Sequence, residues 1–135
     1  CIAKRDTLSN MKTLTDEQFD QLITRAMDEL PQEYITGLKN VAIIMEDEPS
    51  EEQKVKMKID NNHLLLGLYE GVPLPMRGGN GSGFMPDKIT LFKNSILRLA
   101  HDDESLQEQI KRTLWHEIAH YYGLNHDRID QLEKN

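Results

Sequence analysis

The stretch DDESLQEQIKRTLWHEIAHYYG, residues 102–123, limits the fold of this chain more than any other. At about 100° per residue, Leu106, Ile110, Leu114, Ile118 and Tyr121 fall into one apolar stripe, the pattern of a helix laid on a core. Asp102, Asp103 or Ser105 can cap its start, the last with Glu108 as a capping box. Gly123 can end it in the left-handed conformation that reverses the chain. The rest of the chain must supply the surface that buries the stripe.

A second helix begins at LTDEQF, where Thr15 caps, Gln18 reaches back and Leu14 staples onto Phe19. Phe19, Leu22, Ile23, Ala26, Met27 and Leu30 share one face, and Pro31 ends the run. Val41–Glu46 reads as a buried strand, followed by an acidic loop and Pro49. SEEQKVKMKIDNN is ambiguous, because its first half favours helix while Val55, Met57 and Ile59 alternate; a short exposed helix or irregular linker is expected. HLLLGLYEG reads as a second strand, with Gly67 marking a bulge or a close backbone approach. GVPLPMRGGNGSGFMPD contains neither GK[ST] nor GxGxxG and is expected to be a mobile loop. KITLFK reads as a third strand and NSILRLAH as a short helix. The order helix, strand, strand, strand, helix predicts an α+β fold, with one domain over residues 11–135.

The formal charge of −7 argues against a nucleic-acid backbone or an anionic membrane as the main partner. The oligomeric state is open. No apolar run is long enough to span a bilayer. The single cysteine, Cys1, excludes an internal disulfide and suits a reducing compartment, so a cytoplasmic location is expected. CIAKRDTLSN lacks the apolar stretch of a secretory signal; residues 1–10 are expected to be a disordered leader or an added segment before Met11.

The end of the long helix concentrates unusual chemistry. His116 and His120 stand on the edge of the apolar stripe, a little over one turn apart, with Cβ atoms about 5–6 Å from each other. Two imidazole nitrogens at that spacing can share one Zn2+ at about 2.0–2.1 Å each. Glu117 falls between the histidine edge and the stripe, poorly placed as an equal ligand but near enough to act on a water beside the metal as a general base. The reversal at Gly123 packs Leu124 back near Ile118 or Ala119 and can swing His126 toward the same ion. Three nitrogen ligands with one open position are the pattern of a catalytic rather than a structural zinc site. His63 and His101 read as ordinary polar residues, and Tyr121 and Tyr122 as packing residues.

HEIAHYYGLNH resembles the HExxHxxGxxH/D signature of zincin metallopeptidases. Together with LLLGLYEGVPL and MPDKITLF, it is similar to the small bacterial mini-zincins over roughly residues 41–130. The resemblance implies a minimal zincin fold: an N-terminal backing helix, a short mixed three-stranded sheet, a long active-site helix and a short C-terminal helix. It implies a zinc-dependent metallopeptidase acting on peptide or protein substrates, with His116, His120 and His126 as ligands and Glu117 as catalytic base. Mini-zincins often carry Asp where this chain has His126, which leaves His126 or Asp127 as the third ligand. The nine residues given after His126 include no methionine, so the methionine turn of full metzincins is not expected and a site floor built otherwise is. A peptide is expected to add as an extra strand along residues 88–93.

Two other readings compete. HxxxHxxGxxH is also similar to bacterial rRNA-maturation metal proteins, proposed endoribonucleases, but Glu117 and the acidic charge count against that reading. A metal-binding module without catalysis is the third, because so short a chain offers little wall for a substrate cleft.

Overall fold

The computed structural model describes residues 2–4, 14–38, 40–59, 63–71 and 87–124. Its elements run β1 (Ile2–Lys4), α1 (Asp16–Glu29), α2 (Gln32–Thr36), β2 (Val41–Glu46) and α3 (Glu51–Lys56). They continue through β3 (His63–Leu65), β4 (Gly67–Glu70), β5 (Asp87–Phe92), α4 (Lys93–Leu99) and α5 (Asp103–Tyr122).

The helix ends follow local chemistry. Thr15 caps α1 and exchanges hydrogen bonds with Gln18, and Leu14 packs on the cluster that contains Phe19. Pro31, which lacks an N–H, separates α1 from α2. Ser50 and Gln53 form the same reciprocal box on α3, resolving the ambiguous segment in favour of a short helix. Asp102, rather than Asp103 or Ser105, caps α5, accepting a hydrogen bond of 2.6 Å from Ser105 N.

The main sheet has three strands in the order β2-β5-β4 and is mixed, as expected. β2 and β5 are parallel, with Val41 opposite Asp87 and Glu46 opposite Phe92. β4 is antiparallel to β5, with Gly67 opposite Leu91 and Glu70 opposite Lys88. This order corrects two expectations. β5 is the central strand, so both of its backbone edges are taken and residues 88–93 cannot accept a peptide as a further strand. Among the described residues β2 has only β5 beside it, and its residues are half-buried or exposed rather than fully buried.

HLLLGLYEG is two strands rather than one. The strand is interrupted at Leu66, whose carbonyl accepts a hydrogen bond from Phe92 N at 2.9 Å. β3 then belongs to a separate two-stranded ladder with β1. Ile2–Lys4, inside the segment expected to be a leader, therefore pairs with His63–Leu65; the remainder of residues 1–10 lies outside the described residues. The expected mobile loop, residues 71–87, also lies outside them except for Gly71 and for Asp87, which begins β5, and the expected C-terminal helix lies outside them too.

α5 is the centre of the packing, with α1, α4, β4 and β5 all against it. Its whole predicted stripe, Leu106, Ile110, Leu114, Ile118 and Tyr121, is buried. Phe19, Ile23 and Ala26 of α1, with Ile89 and Leu91 of β5, close the same core. A smaller cluster of Leu65, Leu68 and Phe92 lies apart from it, with Met57 and Ile59 packed on it. Among the described residues, no helix is long and apolar enough to cross a membrane.

Candidate metal centre

α5 places the candidate side chains before any tertiary contact does. His116 and His120 are both half-buried, and their rings lie 4.7 Å apart at 70°. Two imidazoles on successive turns of one helix thus face the same small volume. Between them in sequence, Glu117 turns toward the sheet and is only 1% exposed. Its Oε1 lies 3.3 Å from Nδ1 of His120. A neutral imidazole that donates through Nδ1 keeps Nε2 as its acceptor, so this contact leaves Nε2 of His120 able to serve as a ligand atom.

Burial is the largest influence on Glu117 and pushes its pKa up. The hydrogen bond from His120 and the charge of His120 are among the influences that pull it down, and the balance falls below the ordinary carboxylate value. The hydrogen bond from His120 favours the carboxylate anion, the form that accepts a proton.

The neighbouring strand completes the floor. Gly67 of β4 lies against Glu117 and Thr113, one turn apart on α5. Farther along β4, Tyr69 Oη donates a 2.7 Å hydrogen bond to Asp87 Oδ2, tying the end of β4 to the start of β5. The ring of Tyr69 meets Tyr121 edge-on with centroids 6.2 Å apart. Tyr121 is buried, and Tyr122 Oη donates a 2.6 Å hydrogen bond to the carbonyl of Tyr34. Both tyrosines pack, as their spacing suggested.

The helix ends as the sequence predicts. Gly123 has φ 73° and ψ 26°, left-handed. Its N–H bonds the carbonyl of His120 at 3.0 Å, and Leu124 N bonds the carbonyl of Ala119 at 3.0 Å. This is a Schellman ending, with Leu124 partly buried against the cluster that includes Ile118 and Ala119. The reversal is thus anchored on the carbonyl of a proposed ligand. His126 and Asp127 lie outside the described residues, and among the described ones no group of three or more metal-ligating side chains occurs. His63 starts β3 and His101 precedes α5, and both are distant in sequence from the His116–His120 pair.

Sequence reasoning had a signal for Gly67, a glycine within an apolar strand, but none for its neighbour. Nothing in the order of residues says that β4 crosses α5 at Glu117. Nor does it say that Tyr69 finds Asp87.

A family model described as zincin-like metallopeptidase matches residues 38–135. Among solved structures, a conserved hypothetical protein from Thermus thermophilus is similar in fold, with a TM-score of 0.56 and 23% sequence identity. The match covers 81% of this chain and 94% of that one. No curated protein matches the chain.

Proposed function

The chain belongs to the zincin-like metallopeptidase family, and from that premise we propose that it is a zinc-dependent peptidase with Glu117 as its general base. The observation that carries this reading is the pairing of two adjacent imidazoles with one buried carboxylate. The rings of His116 and His120 are 4.7 Å apart, and Glu117 stands beside them, 1% exposed.

The donor set fits zinc. Imidazole nitrogens are borderline ligands that suit this ion, and the contact to Glu117 leaves His120 a nitrogen to offer. His116 and His120 would hold the metal, with His126 as third ligand and Asp127 as its alternative. Zinc, when bound, supplies a Lewis acid that polarises a peptide carbonyl and makes water a stronger acid.

The chain's own residues do the rest. Glu117 takes the proton from the attacking water, holds it on its carboxylate and passes it to the leaving amine nitrogen. Glu117 is 1% exposed, which keeps bulk water from competing for that carboxylate. A peptide in extended form would lie beside β4, the strand that passes Glu117. β4 begins at Gly67, which lies against Glu117.

The test is Glu117→Gln. The amide keeps an oxygen that accepts from His120, so zinc content should remain at one ion per chain while cleavage of a library of internally quenched peptides disappears. Unchanged turnover overturns the mechanism, and a wild-type protein that binds zinc but cleaves nothing in the library identifies a binding module instead.

A further inference from the structure

β4 passes α5 at Gly67 with less room than any side chain needs. A Cβ built there would stand 2.7 Å from Thr113 Cγ2, 3.3 Å from Glu117 Cγ and 3.3 Å from the carbonyl oxygen of Thr90. The first distance is a clash, and the other two are tighter than ordinary van der Waals contact. Thr113 and Glu117 are four residues apart on α5 and share one face, so the strand backbone meets both. Thr90 lies on the far side, in β5, opposite Leu68. Gly67 is thus held between the centre of the sheet and the side chain that serves as base.

We propose that Gly67 is a positioning residue for Glu117: its bare backbone is the wall against which the glutamate methylenes lie, and that wall aims the carboxylate at His120. The proposal rests on the reading of Glu117 as the general base. Its physical ground is the freedom of a glutamate, whose three side-chain torsions leave the carboxylate undefined unless packing selects one setting. A methyl group at position 67 displaces the Glu117 Cγ it would touch, and the carboxylate moves with it. The Cγ must give by a few tenths of an ångström; since displacement of a reacting group by about 1 Å costs on the order of a hundredfold in rate, the expected cost here is roughly severalfold.

Packing and positioning can be separated at Thr113. Thr113→Ser removes the Cγ2 that would suffer the worst clash and retains the hydroxyl. In the double variant Gly67→Ala/Thr113→Ser the strand and helix fit again, but the new methyl still presses on Glu117. The experiment compares Thr113→Ser, Gly67→Ala and the double variant as full chains. Thermal unfolding reports packing. Zinc-loaded protein gives kcat and KM on internally quenched peptides. Side-chain 15N spectra of the histidines, recorded before zinc is added, report whether Glu117 still holds the proton on His120 Nδ1.

The expected result is a double variant that unfolds near the temperature of Thr113→Ser. Its kcat should be lower by roughly severalfold with KM unchanged, and its His120 Nδ1 signal should be shifted. A double variant with the kcat and the His120 signal of Thr113→Ser overturns the proposal and makes Gly67 a packing residue alone. Should the wild-type chain cleave no peptide, the peptidase reading fails by itself. The His120 signal then still decides the seat of Glu117: a shift upholds it, and an unchanged signal rejects it.

Discussion

Nδ1 of His120 lies 3.3 Å from Oε1 of Glu117, so the proposed base also orients a proposed ligand. The two roles predict different outcomes for two substitutions at one position. Glu117→Gln keeps an acceptor for His120, whereas Glu117→Ala removes it. Glu117→Ala should weaken zinc binding by about 10- to 100-fold, the usual cost of losing such a supporting hydrogen bond. Glu117→Gln should stay near wild type. Competition titration with a zinc-binding dye measures both, and equal affinities for the two variants reject the orienting role.

The left-handed residue at the end of α5 gives a second prediction. Gly123 has φ 73°, where a Cβ crowds the following carbonyl. Gly123→Ala should cost about 1–2 kcal/mol in urea denaturation, and Gly123→Asn should cost less, since asparagine tolerates this conformation. The turn is anchored on the carbonyl of His120, so zinc affinity should fall along with stability in the alanine variant.

Ile110 tests the core without touching the site. It is fully buried on α5, six residues before His116. Ile110→Ala removes buried methylene groups and leaves a cavity, for an expected loss of about 2–5 kcal/mol. The change should appear in the unfolding midpoint, while zinc stoichiometry below the transition stays at the wild-type value. Loss of zinc at temperatures where the variant is folded contradicts this separation.

Tyr122 predicts how stability depends on pH in the alkaline range. Burial is the main cause that raises its pKa above the ordinary value of 10.0, with the neighbouring Tyr121 and Tyr34 adding to it. Its hydroxyl donates to the carbonyl of Tyr34 at 2.6 Å, which only the protonated form can do. A folded-state pKa above the unfolded one stabilises fully below the unfolded value. That stabilisation is lost as pH rises from about 10 through the folded pKa. Tyr122→Phe should cost about 0.5–1.5 kcal/mol at neutral pH and should flatten the decline above about pH 10. Urea midpoints measured across that range decide it, and identical slopes for both proteins exclude Tyr122 as the source.

The local structure was legible because its causes are local. The reciprocal bonds of Thr15 and Gln18, the buried stripe from Leu106 to Tyr121 and the reversal at Gly123 each follow from residues a few positions apart. The adjacency of His116 and His120 is of the same kind, since helical spacing alone brings their rings together. The capping box at Ser50 was written in the letters SEEQ but masked by the alternation of Val55, Met57 and Ile59.

Only the tertiary structure decided the order of the strands. Val41–Glu46 and Asp87–Phe92 are both apolar runs, and nothing in either says that the first takes an edge while the second lies in the middle. That choice depends on partners distant in the chain, and it removed β5 as the expected peptide-binding edge. The same applies to the close crossing of Gly67 over Glu117, which arises where an edge strand and a helix separated by many residues are pressed together by a shared core. Periodicity along a chain sets which face a residue takes, and the packing of one element on another sets what that face meets.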